Sequence, residues 1–165
     1  MDKPVSWKAS GLTWLWLSLA VIGIDQIVKA VVLATLQPYQ PQEVISGLLN
    51  WTLAFNTGAA FSFLHDESGW QRWLFSLLAL IVSGALVRWL ATISRSDWHN
   101  ALPLSLVIGG ALGNLIDRLR FGQVTDFIDV YWGDAHFPAF NIADSAITVG
   151  AVLLIWFGFF APKKP

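Results

Sequence analysis

The sequence predicts an all-α polytopic membrane protein, with four transmembrane helices and a small extracytoplasmic β-sheet and loop subdomain. Three observations predict it. Of 165 residues, 55% are hydrophobic and only 13% charged, about half the charged share of a soluble domain, and mean hydropathy is +0.57. Four apolar stretches reach or approach the ~20 residues a helix needs to cross the hydrocarbon core. There are 10 Trp, a residue whose apolar ring and N–H donor are both satisfied at the membrane–water interface.

The first span runs from near Leu12 to Leu33, after Lys3 and Lys8. It is not a secretory signal: the apolar stretch continues past Asp25 and Lys29, and no small-x-small cleavage site closes it. The following segment, about 34–69, opens with Pro38 and Pro41 and carries Gly47, Asn50, Asn56, Thr57 and Gly58 among the strand formers Val44, Ile45, Trp51, Thr52 and Phe55. It predicts a small irregular sheet rather than a fifth span over Val44 to Leu64. The second span covers Trp70 to Ile93. The third covers Ala101 to Leu119, with Pro103 in its first turn, where its missing N–H is tolerated. After the segment 120–141, the fourth covers Ile142 to Phe160.

Charge placement decides the number of spans. With four, Lys3, Lys8, Arg88, Arg95, Lys163 and Lys164 share one side. The positive-inside rule then puts both termini in the cytoplasm and segments 34–69 and 120–141 outside. With no repeat, low-complexity tract or dividing linker, residues 1–165 are read as one membrane domain.

Composition also excludes chemistry. A net charge of -1 argues against a nucleic-acid partner. The absence of Cys removes disulfides, thiolate metal sites and a cysteine nucleophile. His65, His99 and His136 lack metal-ligand spacing, and no Gly-x-Ser-x-Gly elbow is present. No metal and no other cofactor is expected.

What remains is a set of polar residues at the ends of spans. Asp126 follows the third span and Asp144 falls in the first turn of the fourth, so both approach the outer surface. Two carboxylates meeting there can share one proton and activate water. Asp144 also has a structural reading: if Asn141 caps the fourth helix, Asp144 completes a capping box. Asp25 and Lys29 are spaced for an i,i+4 ion pair, with Lys29 snorkelling to the interface; Asp25 could also position an external loop. Asn56-Thr57-Gly58 suits a tight turn, or a loop whose Asn56 amide and Gly58 backbone approach a peptide. Gly109 and Gly113 form a G-x-x-x-G stripe for close helix packing. Asn114 and Arg118 share a helix face; Arg118 either reaches lipid phosphate or holds a carboxylate or substrate carbonyl. Asp129 is read as a loop-stabilising carboxylate.

Together, Asp25-x-x-x-Lys29, Asn56-x-Gly58-Ala59-Ala60-Phe61, Gly109-Gly110-Ala111-x-Gly113-Asn114-x-x-Asp117-Arg118, Val124-x-Asp126-Phe127 and Phe140-Asn141-x-Ala143-Asp144 resemble the bacterial lipoprotein signal peptidases (signal peptidase II) in order and spacing. The resemblance implies an aspartic endopeptidase of the bacterial cytoplasmic (inner) membrane. Such an enzyme cuts prolipoproteins before a diacylglyceryl-modified cysteine. It implies Asp126 and Asp144 as the catalytic pair; Asn56, Gly58, Asn114, Arg118 and Asn141 as residues lining or ordering the site; and Asp25 in support. The expected partners are the lipid-modified prolipoprotein and membrane lipids, and the chain is expected to act as a monomer. Two other classes fit the same polar residues less fully: a small ion- or proton-relaying transporter, and a non-enzymatic assembly subunit.

Overall fold

The computed structural model describes residues 9–58 and 69–160. Four helices, α1 (Leu15–Thr35), α2 (Trp70–Thr92), α3 (Trp98–Phe121) and α4 (Ile142–Phe160), are long and apolar enough to cross a membrane. A short 3-10 turn, Gly11–Trp14, leads into α1. The spans expected from the sequence lie within a few residues of these bounds. The shift in the third has a consequence: α3 begins at Trp98, so Pro103 sits beyond the first turn.

Burial separates the four helices. In the most apolar window of α3, 56% of residues are buried inside the protein, against 11% for α4. α3 is therefore the central helix, and the others turn residues such as Leu19, Ile27, Leu77, Ile81, Val152 and Ile155 outward. That outward apolar surface is stable only against lipid. The small residues of α3 let its neighbours close in. A Cβ on Gly109 would lie 2.8 Å from Val21 Cβ of α1, and one on Gly110 would run into the Ala143 carbonyl of α4. The G-x-x-x-G stripe thus packs two helices, Gly109 against α1 and Gly113 against both Asp25 and Ala143.

Two apolar clusters hold the ends of the bundle. Leu90, Ala101, Leu104 and Ile108 pack at one end. There the backbone is also tied, Gly11 N–H donating to Ile93 at 2.8 Å and Arg95 N–H to Ala9 at 2.9 Å. Val32, Leu53 and Phe127 pack at the other end, where α1 meets the sheet.

The sheet draws on both loop segments. Strands β1 (Gln42–Ile45), β2 (Leu49–Asn56), β3 (Val124–Trp132) and β4 (Ala135–His136) pair antiparallel in that order. The segment 34–69 does form strands, as its composition predicts. Its partner β3 comes from the segment between α3 and α4. Gly122, at φ 78°, ends α3 in the left-handed conformation that glycine adopts freely, and β3 follows at once. Pairing sets Ala54 opposite Asp126. Phe140 then folds back onto β3: its N–H donates to Ile128 at 3.0 Å, and its carbonyl accepts from Phe127 and Ile128 at 3.0 and 2.8 Å. This short bridge delivers Asn141, the residue just before α4, beside Asp126.

Candidate active site

The N-terminus of α4 is built by Asn141. Its side-chain Oδ1 accepts the Asp144 N–H at 2.9 Å, and Asp144 Oδ2 accepts the Asn141 N–H at 3.2 Å. This is the reciprocal capping box that the Asn141/Asp144 spacing predicts. The cap does not exhaust Asp144. Its other oxygen accepts the Asn114 amide of α3 at 2.7 Å. Nor does it exhaust Asn141, whose Nδ2 donates to Asp126 Oδ1 at 2.7 Å, with Asn114 Oδ1 at 3.1 Å and Thr125 O at 3.3 Å. One fully buried asparagine therefore touches both carboxylates, and a second, Asn114, joins it to Asp144.

Asn56 approaches Asp126 from β2. Its side chain hydrogen-bonds the carboxyl, while its Oδ1 accepts the Gly58 N–H at 2.8 Å. Gly58 has φ 114°, and a Cβ there would press into the Phe75 ring. The rest of that motif, Ala59, Ala60 and Phe61, lies outside the described residues, as do Lys3, Lys8, His65, Lys163 and Lys164.

Behind this layer lies an ion cluster. Lys29 Nζ is 2.9 Å from Asp25 Oδ2, 3.0 Å from Asp117 Oδ2 and 3.0 Å from Asn114 Oδ1. The predicted Asp25–Lys29 pair forms, but Lys29 does not snorkel: it is 2% exposed. Two carboxylates and an amide oxygen satisfy its three donors inside the protein, so water offers it nothing further. Asp25 Oδ1 also accepts the Ala143 N–H at 3.0 Å, and Asp117 Oδ2 accepts the Thr125 N–H at 3.0 Å. Each cluster carboxylate thus holds the residue immediately before Asp144 or Asp126. Gln26 bridges the cluster, donating to Asp117 Oδ1 at 2.9 Å.

The roles of Asp117, Gln26 and Thr125 escaped the sequence reading. Asp117 shares a helix face with Asn114 at i,i+3, and that spacing was the available signal. Thr125 contributes only backbone, which no side-chain pattern reveals. Asp129, read as a loop-stabilising acid, bonds Asn50 Nδ2 at 2.8 Å and His136 Nδ1 at 2.8 Å, away from the other two aspartates' partners.

Electrostatics separates Asp126 from ordinary carboxyls. Burial, and next the negative charge of Asp144, push it up from 3.8 to about 7; hydrogen bonds from Asn56 and Asn141 and the charge of Lys29 oppose this. Arg118 lies half-buried with its guanidinium 5.2 Å over the Phe75 ring, and its charge acts on Asp144, Asp126 and Asp117. Its Nε has no hydrogen-bond partner among the described residues.

Asp144 lies between two cavities. One, about 260 Å³, runs between α2, α3 and α4 past Phe75, Ala111, Asn114, Arg118 and Ile147. The other, about 390 Å³, is lined by Phe137, Phe140, Ser145, Thr148 and Val149. A carboxyl that keeps its proton near neutral pH, a second carboxyl tied to it through one asparagine, and openings on both sides suit general acid–base chemistry on a chain laid across Asp144.

Comparison with known proteins reaches the same region of chemistry. Residues 17–160 match the family model described as signal peptidase (SPase) II. The chain is 55% identical over 155 residues to a lipoprotein signal peptidase of Pseudomonas putida, covering 93% of this chain and 91% of that one. It is 57% identical over 144 residues to the Pseudomonas aeruginosa protein of the same name, covering 87% and 85%. Two solved bacterial membrane enzymes share the fold. One matches at 32% identity with a TM-score of 0.76, covering 93% of each chain. The other matches at 33% with 0.77, covering 91% of this chain and 94% of that one.

Proposed function

The chain belongs to the signal peptidase II family, and we propose that Asp126 and Asp144 are the acids with which it cuts. As a member of that family it is an integral membrane peptidase of bacteria that removes signal peptides from prolipoproteins. The observation that supports the residue assignment is the position of Asn141, which donates to Asp126 through its side chain and to Asp144 through its backbone.

In the proposed mechanism the pair holds one proton. Asp126, pushed up to about 7, keeps it. Asp144 accepts N–H groups on both oxygens, from Asn114 and Asn141, an arrangement that suits an ionised carboxylate. Asp144 takes a proton from water, whose oxygen attacks the scissile carbonyl. Asp126 donates its proton to the developing oxyanion. Asp144 then returns a proton to the leaving amine while Asp126 recovers its own as the carbonyl re-forms. Arg118, whose charge acts on Asp144 and whose Nε has no partner among the described residues, holds a substrate carbonyl. Asn56, Asn114 and Asn141 fix the two carboxyls, and Asp25 fixes Ala143.

The substrate is a prolipoprotein carrying diacylglycerol on the cysteine after the cut. Its signal helix enters laterally along the cavity past Phe75 and Ala111. The lipid chains leave by the cavity past Phe137 and Val149. Both termini lie in the cytoplasm and the sheet lies outside, with the Asp pair near the outer membrane surface of one monomeric domain.

The test is hydrolysis of a diacylglyceryl-modified precursor by purified, reconstituted protein. Asp126→Asn and Asp144→Asn are each expected to lose cleavage while keeping the fold. Native-rate cleavage by either variant overturns the assignment.

A further inference from the structure

The end of the bundle that carries the Asp pair also carries cations the pair does not use. Arg72 and Arg120 sit at the adjoining ends of α2 and α3. Arg72 Nη2 donates to Leu119 O at 2.6 Å, which brings its guanidinium over the last turn of α3, where Arg120 is exposed. Among the described residues neither makes an ion pair, and Arg72 Nε has no hydrogen-bond partner. Each is backed by an aromatic ring, Arg72 by Trp73 at 4.9 Å and Arg120 by Phe121 at 4.8 Å. Those rings, with Trp70 and Leu119, are exposed.

A helix end with exposed Trp70 and Trp73 lies at the headgroup level of a bilayer. The abundant anion at that depth is the lipid phosphodiester, and guanidinium groups match its oxygens in bidentate geometry. The positive-inside tendency disfavours unpaired arginines at the outer end, so their presence needs a partner. We propose that Arg72 and Arg120, with Trp73 and Phe121, form a docking surface for the headgroup of an anionic phospholipid, whose acyl chains lie along the exposed faces of α2 and α3.

This rests on the orientation proposed above only for the leaflet concerned; lipid retention is read without any cleavage. The full chain is reconstituted in nanodiscs of mixed phosphatidylcholine and phosphatidylglycerol, released, and its retained lipid identified by native mass spectrometry. Phosphatidylglycerol is expected to be retained in preference to phosphatidylcholine. Arg120→Gln should weaken that preference on the order of fivefold, the usual effect of one basic residue at a charged membrane surface, and Arg72→Gln at least as much. Arg88→Gln, at an exposed arginine at the other end of α2 with no second arginine beside it, should weaken it less than either. Equal retention of the two lipids, or an Arg120→Gln variant that behaves as wild type or falls only as far as Arg88→Gln, overturns the proposal. Among the described residues the Arg120 side chain donates no hydrogen bond, so its variant decides the matter even if Arg72→Gln unfolds. Asp126→Asn should retain the lipid, which keeps this test separate from the peptidase assignment.

Discussion

Two pairs of aspartates, all buried but the half-buried Asp144, lie next to each other in this protein, and they are held in different ways. Asp25 and Asp117 enclose Lys29, and every oxygen of the pair has a donor: Lys29, Gln26, or the backbone N–H of Ala143 or Thr125. Asp126 and Asp144 are met instead by neutral amides, Asn56, Asn114 and Asn141, and Asp144 lines both cavities. A cation at bonding distance ties its carboxylates into an ion pair, whereas a neutral amide orients a carboxyl without adding an opposing charge. The first pair is scaffold. In the proposed mechanism the second pair passes a single proton to the substrate and recovers it at the end of each cycle.

The largest expected effect comes from the pair with the mobile proton. Asp126→Asn and Asp144→Asn should each lower kcat/KM by at least about 10²–10⁴-fold, the usual contribution of a general acid or base, measured on a lipid-modified precursor. Folding should respond the other way. Asp126 is pushed from 3.8 up to about 7, so in the pH range between those values the folded state binds more protons than the unfolded one. Stability therefore falls as pH rises through that range. Asp126→Asn escapes this cost, so its thermal stability in detergent should exceed that of wild type at pH 8 and match it near pH 4.

The scaffold pair should break differently. Lys29→Met leaves Asp25 and Asp117 as uncompensated buried charges, a loss of about 3–5 kcal/mol, measured by thermal unfolding. The triple change to Lys29→Met, Asp25→Asn and Asp117→Asn removes the charges together and should recover much of that loss. If Lys29→Met alone leaves stability intact, the cluster is not scaffold.

Asn141 joins the two regions, and Asn141→Ala should show a mixed effect. Loss of the cap costs about 1 kcal/mol. Loss of the hydrogen bond to Asp126 removes a group that favours its ionised form, so the alkaline limb of the pH–rate profile, near pH 7 in wild type, should move upward. A limb that stays in place would mean that Asp126 does not set it.

The smallest effect is expected around Asp129, a buried acid outside both pairs. Asp129 staples Asn50 to His136 across the sheet, and His136 is exposed. His136→Gln should change stability by about 1 kcal/mol or less and leave cleavage near wild type.

The fold was legible because its signals are long. An apolar run such as Ile142 to Phe160 has one stable solution, and Gly109 and Gly113 mark where backbones touch. The strand-rich composition of 34–69 revealed β1 and β2. That β3 completes the sheet was less visible, because Val124 to Trp132 alternates imperfectly and buries both faces near its start. In the site, the residues with chemical character were readable: Asp126, Asp144, Asn141 and Asn114. Asp144 carries both a capping and a proton-sharing reading; the structure shows the capping contact on one oxygen and leaves the other to the Asn114 amide. Lys29 was misjudged because i,i+4 spacing shows one partner, while its second, Asp117, comes from another helix. Long-range pairing of that kind has no periodicity along the chain.

The most direct measurement is the titration of the Asp126 carboxyl itself, by infrared or ¹³C-detected resonance of selectively labelled protein, in wild type and in Asp144→Asn. A proton lost near pH 7 in wild type, and at clearly lower pH once the Asp144 charge is gone, is the predicted result. Titration in the ordinary range near 3.8 in wild type, or a position indifferent to Asp144, would contradict the claim that these two acids hold one proton between them.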